Sequence, residues 1–141
     1  MAGLKRMSVR ASELQCAVID EFRRRAPRDE AERLLWHELL KSQRSLANNT
    51  SESDGSQSRA DFITKFHLAL KEGKESLQLL RALTHCEPDR RDQLARLANA
   101  CDEIVAILVV SLKTAKANEL IEQQQRHQQR NADKTNRPKR D

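Results

Sequence analysis

Any chemistry in this chain would have to come from its histidines, cysteines and carboxylates. The four histidines are His37, His67, His85 and His127. None stands in an HExxH pair, and none follows a Glu by three residues as in the ExxH pairs of di-iron bundles. His85 and Cys86 are adjacent, and adjacent side chains diverge, which is poor spacing for zinc ligands. There is no glycine-rich phosphate loop, and nothing marks a nucleophile with its base. The sequence therefore predicts no catalytic residue, no metal and no cofactor. The three cysteines, Cys16, Cys86 and Cys101, are odd in number and form no CxxC pair. In apolar helical settings a free thiol behaves as a small hydrophobe, so a reduced, cytoplasmic protein is expected. The opening Met-Ala-Gly-Leu-Lys-Arg has no apolar core behind it, unlike a signal peptide. No apolar run approaches the ~18 residues a membrane span needs.

Four helices must position whatever these residues do. The 141 residues contain no Tyr, three Gly and three Pro, and the helix formers Leu, Ala, Glu, Gln, Lys and Arg dominate. Ser8 or Ser12 could cap a first helix that carries Leu14, Val18 and Phe22 and ends before Pro27. A second helix is expected from about Arg28 or Asp29 to about Leu46. Its stripe is Leu35, Leu39, Ser42 and Leu46, and Trp36 is a packing wedge. Asn48 to Ser58 has turn formers throughout and no aliphatic residue, and reads as the clearest loop. Ser58 and Asp61 resemble a capping box that opens a long third helix to about Thr84. Gly73 inside that helix costs about 1 kcal/mol against Ala, which a close helix–helix approach would explain. Pro88 suits the first position of a fourth helix with the stripe Leu94, Leu97, Cys101, Ile104, Leu108 and Leu112. The expected fold is all-α, an antiparallel up-down-up-down four-helix bundle with an extended C-terminal tail. Residues 1–7 read as a flexible N-terminus, 8–117 as the bundle, and 118–141 as a helical extension fraying into a basic, Gln/Arg-rich disordered tail.

Two features point outward from this bundle. Ile104 to Val110 is an unbroken apolar run in a chain that is 33% charged. A surface helix needs only one apolar stripe, so Val105, Val109 and Val110 are expected to share in a contact with another copy. The second feature is charge. Residues 1–112 hold 18 Lys and Arg against 17 Asp and Glu, whereas residues 113–141 hold 8 against 4, so most of the +5 net charge sits in the tail. Arg126, Arg130, Lys134, Arg137, Lys139 and Arg140, with Lys41 and Arg44 from the bundle, are the candidate contacts to RNA or DNA phosphates. Glu75 reads either as a solvated acid or as a carboxylate tied to Asn49. Asn49 alone reads as a helix C-cap.

Ser45-Leu46-Ala47-Asn48-Asn49-Thr50-Ser51-Glu52, followed by Ser58-Arg59-Ala60-Asp61-Phe62, resembles a family of four-helix bundle proteins encoded in intervening sequences of bacterial large-subunit ribosomal RNA genes. Ser45, Asn49, Glu52, Ser58, Asp61, Phe62, Ala69 and Glu75 fit the family's pattern. Lys71-Glu72 replaces its Gly-Ser, Ser53 its Gly, and Glu38-Leu39-Leu40-Lys41 its Gln-x-Arg-Arg. The resemblance spans about Val9 to Ala117. It implies a ring-like homo-oligomer, typically a pentamer, with no established enzymatic activity, serving as a scaffold or interaction protein. A related branch, the accessory proteins of diversity-generating retroelements, implies an alternative: a nucleic-acid-binding partner of a reverse transcriptase.

Overall fold

The computed structural model describes residues 6–139. The candidate Arg140 and most of the expected flexible N-terminus lie outside them. Four helices follow one another: α1 (Met7–Arg23), α2 (Glu30–Asp54), α3 (Arg59–Cys86) and, after a single 3₁₀ turn at Pro88–Arg90, α4 (Arg91–Thr135). Among the described residues there is no strand.

The links are too short for anything but antiparallel neighbours, and side-chain contacts at both ends of the bundle agree. At one end Ser8 Oγ donates to Asp54 Oδ2 at 2.6 Å, Lys65 Nζ meets Glu52 at 2.6 Å, and Arg59 Nη2 meets Glu122 at 2.7 Å. The start of α1, the corner between α2 and α3, and α4 therefore converge there. At the other end Arg25, in the α1–α2 turn, reaches Glu87 and Asp89 in the α3–α4 turn. The core between is aliphatic, with Val18, Leu39, Leu46, Leu80, Leu83, Leu94 and Leu108 buried. A polar pin crosses its middle, where Gln43 Nε2 donates to Ser76 Oγ at 2.9 Å.

Local signals explain most boundaries. The Asp29 side chain caps α2 by accepting from the Glu32 N–H at 2.9 Å, and Ser58 caps α3 by accepting from the Asp61 N–H at 3.1 Å. Pro88 opens the turn into α4. The start of α1 differs from expectation. Neither Ser8 nor Ser12 caps it: the helix begins at Met7 behind Arg6, with no side-chain cap, and Ser8 serves the Asp54 contact.

The end of α2 is the larger correction. The segment read as a loop from Asn48 is helical to Asp54. Its polar side chains turn back on the helix. Asn49 Nδ2 donates to the Ser45 carbonyl at 2.9 Å, Thr50 Oγ1 to that of Leu46 at 2.9 Å, and Ser53 Oγ to that of Thr50 at 2.6 Å. Such back-bonding satisfies groups that otherwise favour turns, and Thr50 and Ser53 are buried. Asn49 is thus a helix-interior residue and not a C-cap, and Gly55 takes the C-terminal position.

The mid-helix glycine has the close neighbour expected of it. A Cβ built on Gly73 would stand 2.9 Å from Val105 Cγ2, and Cys101 Sγ lies 3.4 Å from the Gly73 carbonyl oxygen. Val105 consequently points into its own bundle, 9% exposed, and is not available for the intersubunit contact assigned to it from the sequence.

Beyond Ala115 no residue of α4 is buried, yet the helix continues to Thr135. Its 45 residues span roughly 67 Å at 1.5 Å per residue. The extension is therefore helical well past the composition change at Leu120-Ile121.

Candidate functional site

The densest polar constellation was not anticipated from sequence. It closes the end of the bundle where the α1–α2 turn meets the α3–α4 turn. Glu87, fully buried, lies at its centre. Its Oε1 accepts from Arg25 Nη2 at 2.6 Å and Arg90 Nη1 at 2.9 Å, and its Oε2 accepts from Trp36 Nε1 at 2.8 Å. Arg90 also meets Glu21 Oε1 at 3.0 Å and lies 5.0 Å over the Trp36 ring. Arg28 holds Glu32 at 2.9 Å and donates to the Cys86 carbonyl at 3.3 Å. Trp36 is thus the wedge expected from sequence, with its N–H satisfied and its ring 5.6 Å from that of Phe22.

This geometry disfavours acid–base chemistry. Burial alone would push the Glu87 carboxyl up, but bonds from Arg25, Arg90 and Trp36 outweigh it and hold Glu87 below the usual carboxylate range. A general acid needs the opposite shift. Both oxygens of Glu87 are engaged, so the cluster works as a clasp between two turns. Cys101 is equally unsuited to nucleophilic attack. Burial, with Asp102 beside it, pushes its thiol up to about 12, and only the thiolate reacts. Among the described residues no group of three or more His, Cys, Asp or Glu is placed to hold a metal ion.

The motif residues Ser45, Asn49, Glu52, Asp61 and Phe62 gather at the corner between α2 and α3. Ser45 and Asn49 share a backbone bond, and Glu52 grips Lys65 across the corner. The Asp61 amide is capped by Ser58, and the Phe62 ring centroid lies 4.2 Å from that of Phe66. The corner is a joint. Glu75 is not part of it. It is exposed, and Asn49 bonds elsewhere, so the proposed tie between the two does not form. Glu75 crowds Glu72 instead: burial and that neighbouring charge push Glu72 above the usual carboxylate range.

Two surfaces remain open. A groove of about 530 Å³ runs between α1 and α2, lined by Gln15, Ile19, His37, Leu40, Lys41 and Arg44. This is where the structure places the two bundle cations singled out from sequence. On α4, Val110 is 64% exposed and Ile107 36%, while Val109 is half-buried. Of the three valines, Val110 presents the open apolar surface. Arg126, Arg130 and Lys134 lie on the helical extension, with Arg137 and Lys139 just past its end, and all five are exposed. The structure separates them from Lys41 and Arg44, which belong to a different surface.

Comparisons with known proteins follow the fold. No family model and no curated protein matches the chain. It is similar to the crystal structure of a protein of unknown function from the S23 ribosomal protein family of Bacteroides thetaiotaomicron VPI-5482. The two are 26% identical with a TM-score of 0.67, and the match covers 76% of this chain and 98% of that one. The chain is therefore an all-α four-helix bundle with an extended last helix. Among the described residues no helix is long and apolar enough to cross a membrane.

Proposed function

We propose that this protein is a non-enzymatic, cytoplasmic scaffold that assembles from copies of itself, as the resemblance to the intervening-sequence bundle family implies. The observation that carries the reading is Val110, 64% exposed, at the end of the apolar run of α4. Ile107 joins it one turn earlier. Scattered single hydrophobes need no explanation, but this pair continues the one stretch of the chain that is apolar on every side.

The groove between α1 and α2 supplies a complementary surface. Ile19 and Leu40 give it an apolar floor, and Lys41 and Arg44 a cationic rim. In the proposed contact Ile107 and Val110 of one copy seat between Ile19 and Leu40 of the next. Glu103, exposed one turn before Ile107, then meets the cationic rim. Two different patches joined head to tail make a heterologous interface, which closes into a ring when the rotation permits. Five copies is the number the resemblance implies.

Size-exclusion chromatography with light scattering tests the proposal. The native chain is expected at a multiple of its 16.2 kDa, and Val110→Lys at the mass of one copy with unchanged helical content. A native chain that elutes as a monomer at micromolar concentration refutes it.

A further inference from the structure

The extension of α4 has a property that the bundle does not need. Arg126 and Arg130 follow Leu108 and Leu112 by 18 residues each (126 − 108 and 130 − 112). Eighteen residues are five whole turns at 3.6 per turn. The side of α4 that presents buried leucines to the bundle therefore becomes, once the bundle has ended, a row of cations. Lys134 continues it one turn further, so charges recur about every 6 Å along the axis.

These cations are unspent. Arg126 has the Glu122 carboxylate nearby, but Glu122 is already bonded to Arg59. Among the described residues Arg130, Lys134, Arg137 and Lys139 have no acidic partner. Among the described residues the one acid after Glu122, Asp133, accepts instead from Gln129 at 3.0 Å. At the adjoining bundle end Glu52 is paired with Lys65, and Asp54 is bonded to the Ser8 hydroxyl. Leu120 and Ile121, both exposed, are the last large hydrophobics of the helix, and between Gln123 and Asn131 every residue other than the two arginines is Gln, His or Asn. After Ile121 its only aliphatic side chain is Ala132. A helix that lies on a membrane needs an apolar face to bury, and past Ile121 this one has none. Amide side chains beside a cation row suit a polar, hydrogen-bonding polyanion.

We infer that the α4 extension is an arm that binds the phosphate backbone of duplex nucleic acid without regard to sequence, through Arg126, Arg130 and Lys134 on the helix and Arg137 and Lys139 beyond it. The inference stands independently of self-assembly. Five phosphate contacts give log K a slope of about −4.5 against log salt, or roughly 500-fold weakening between ~50 and ~200 mM. With two contacts left the slope is about −1.8 and the weakening roughly 12-fold.

The test uses the full chain and a labelled, mixed-sequence DNA duplex, read by fluorescence anisotropy across that salt range. The R126Q/R130Q/K134Q variant replaces three good helix formers with another and touches no core residue, so circular dichroism should match the native chain. It is expected to bind at least tenfold more weakly, with the shallower slope, while K41Q/R44Q binds like the native chain. The inference fails if the native chain does not bind the duplex, or if the triple variant keeps native affinity and slope. It also fails if only K41Q/R44Q loses binding, or if anionic phosphatidylserine vesicles are bound in preference to the duplex.

Discussion

Substituting Gly73 by Ala sets two effects of known sign against each other. In an open helix the change should stabilise by about 1 kcal/mol, since Gly is the poorer helix former. Here the added methyl would meet Val105 Cγ2 at 2.9 Å, well inside ordinary carbon contact. Val105 cannot swing away easily, because a β-branched side chain in a helix has one strongly preferred rotamer. Overpacking of this kind costs about 1–3 kcal/mol, so Gly73→Ala should end between neutral and about 2 kcal/mol destabilising. Val105→Ala removes the obstructing methyls and by itself costs about 1.6 kcal/mol at ~0.8 per buried carbon, before any cavity term. In that background Gly73→Ala should recover its helical gain and stabilise by about 1 kcal/mol. The two residues should therefore be coupled by about 1–3 kcal/mol in a double-mutant cycle. Urea denaturation followed by the fluorescence of Trp36, the single tryptophan, measures all four proteins. Protein concentration must be fixed, because association would add to apparent stability. If Gly73→Ala stabilises equally with and without the Val105 methyls, α3 and α4 do not approach as closely here as described.

Two more outcomes follow from the interior. Glu87→Gln removes the buried charge that faces both Arg25 and Arg90, leaving Arg90 only Glu21, and should destabilise by about 3–5 kcal/mol. Because folding lowers the Glu87 pKa, its contribution is fully present above the unfolded value of about 4.3 and is lost as pH falls through the lower folded value. Thermal melts of the two proteins should consequently converge as the solution is made strongly acidic, and a gap that stays constant with pH contradicts the clasp. For the thiols, Cys16 is exposed and Cys101 buried, with the latter pushed up to about 12. A thiol reagent should label Cys16 rapidly and Cys101 only on unfolding, as peptide mapping would show.

Much of the bundle was legible because its signals are local. The caps at Asp29 and Ser58, the turn at Pro88 and the 3.6-residue apolar stripes all act within a few residues. Gly73 was readable for a related reason: a costly residue in mid-helix implies a compensating neighbour. The failures have physical causes too. Asn48 to Asp54 carries turn-forming residues, but whether their side chains cap a turn or bond back to their own helix depends on what α3 packs against them. Val105 was not separated from Val110 because both lie off the main stripe of Cys101, Ile104, Leu108 and Leu112, and it is the close approach at Gly73 that draws Val105 in. The Glu87 clasp joins Arg25, Trp36, Glu87 and Arg90, up to 65 residues apart (90 − 25). No spacing rule reaches across that separation. The groove and the arm were legible only as charges, not as two separate surfaces.

The clasp also constrains which way the chain can be threaded. Aliphatic stripes are interchangeable to a first approximation, and four similar helices could stack in more than one order around the same greasy centre. Only a connectivity that brings the α1–α2 turn onto the α3–α4 turn gives Glu87 the Arg25 guanidinium and the Trp36 indole, and gives Arg90 the Glu21 carboxylate. A rival arrangement would keep the local Glu87–Arg90 pair but take Arg25 and Trp36 from Glu87 and Glu21 from Arg90, at a penalty of several kcal/mol. That ionic knot favours one winding of the bundle over others that would bury the same oil.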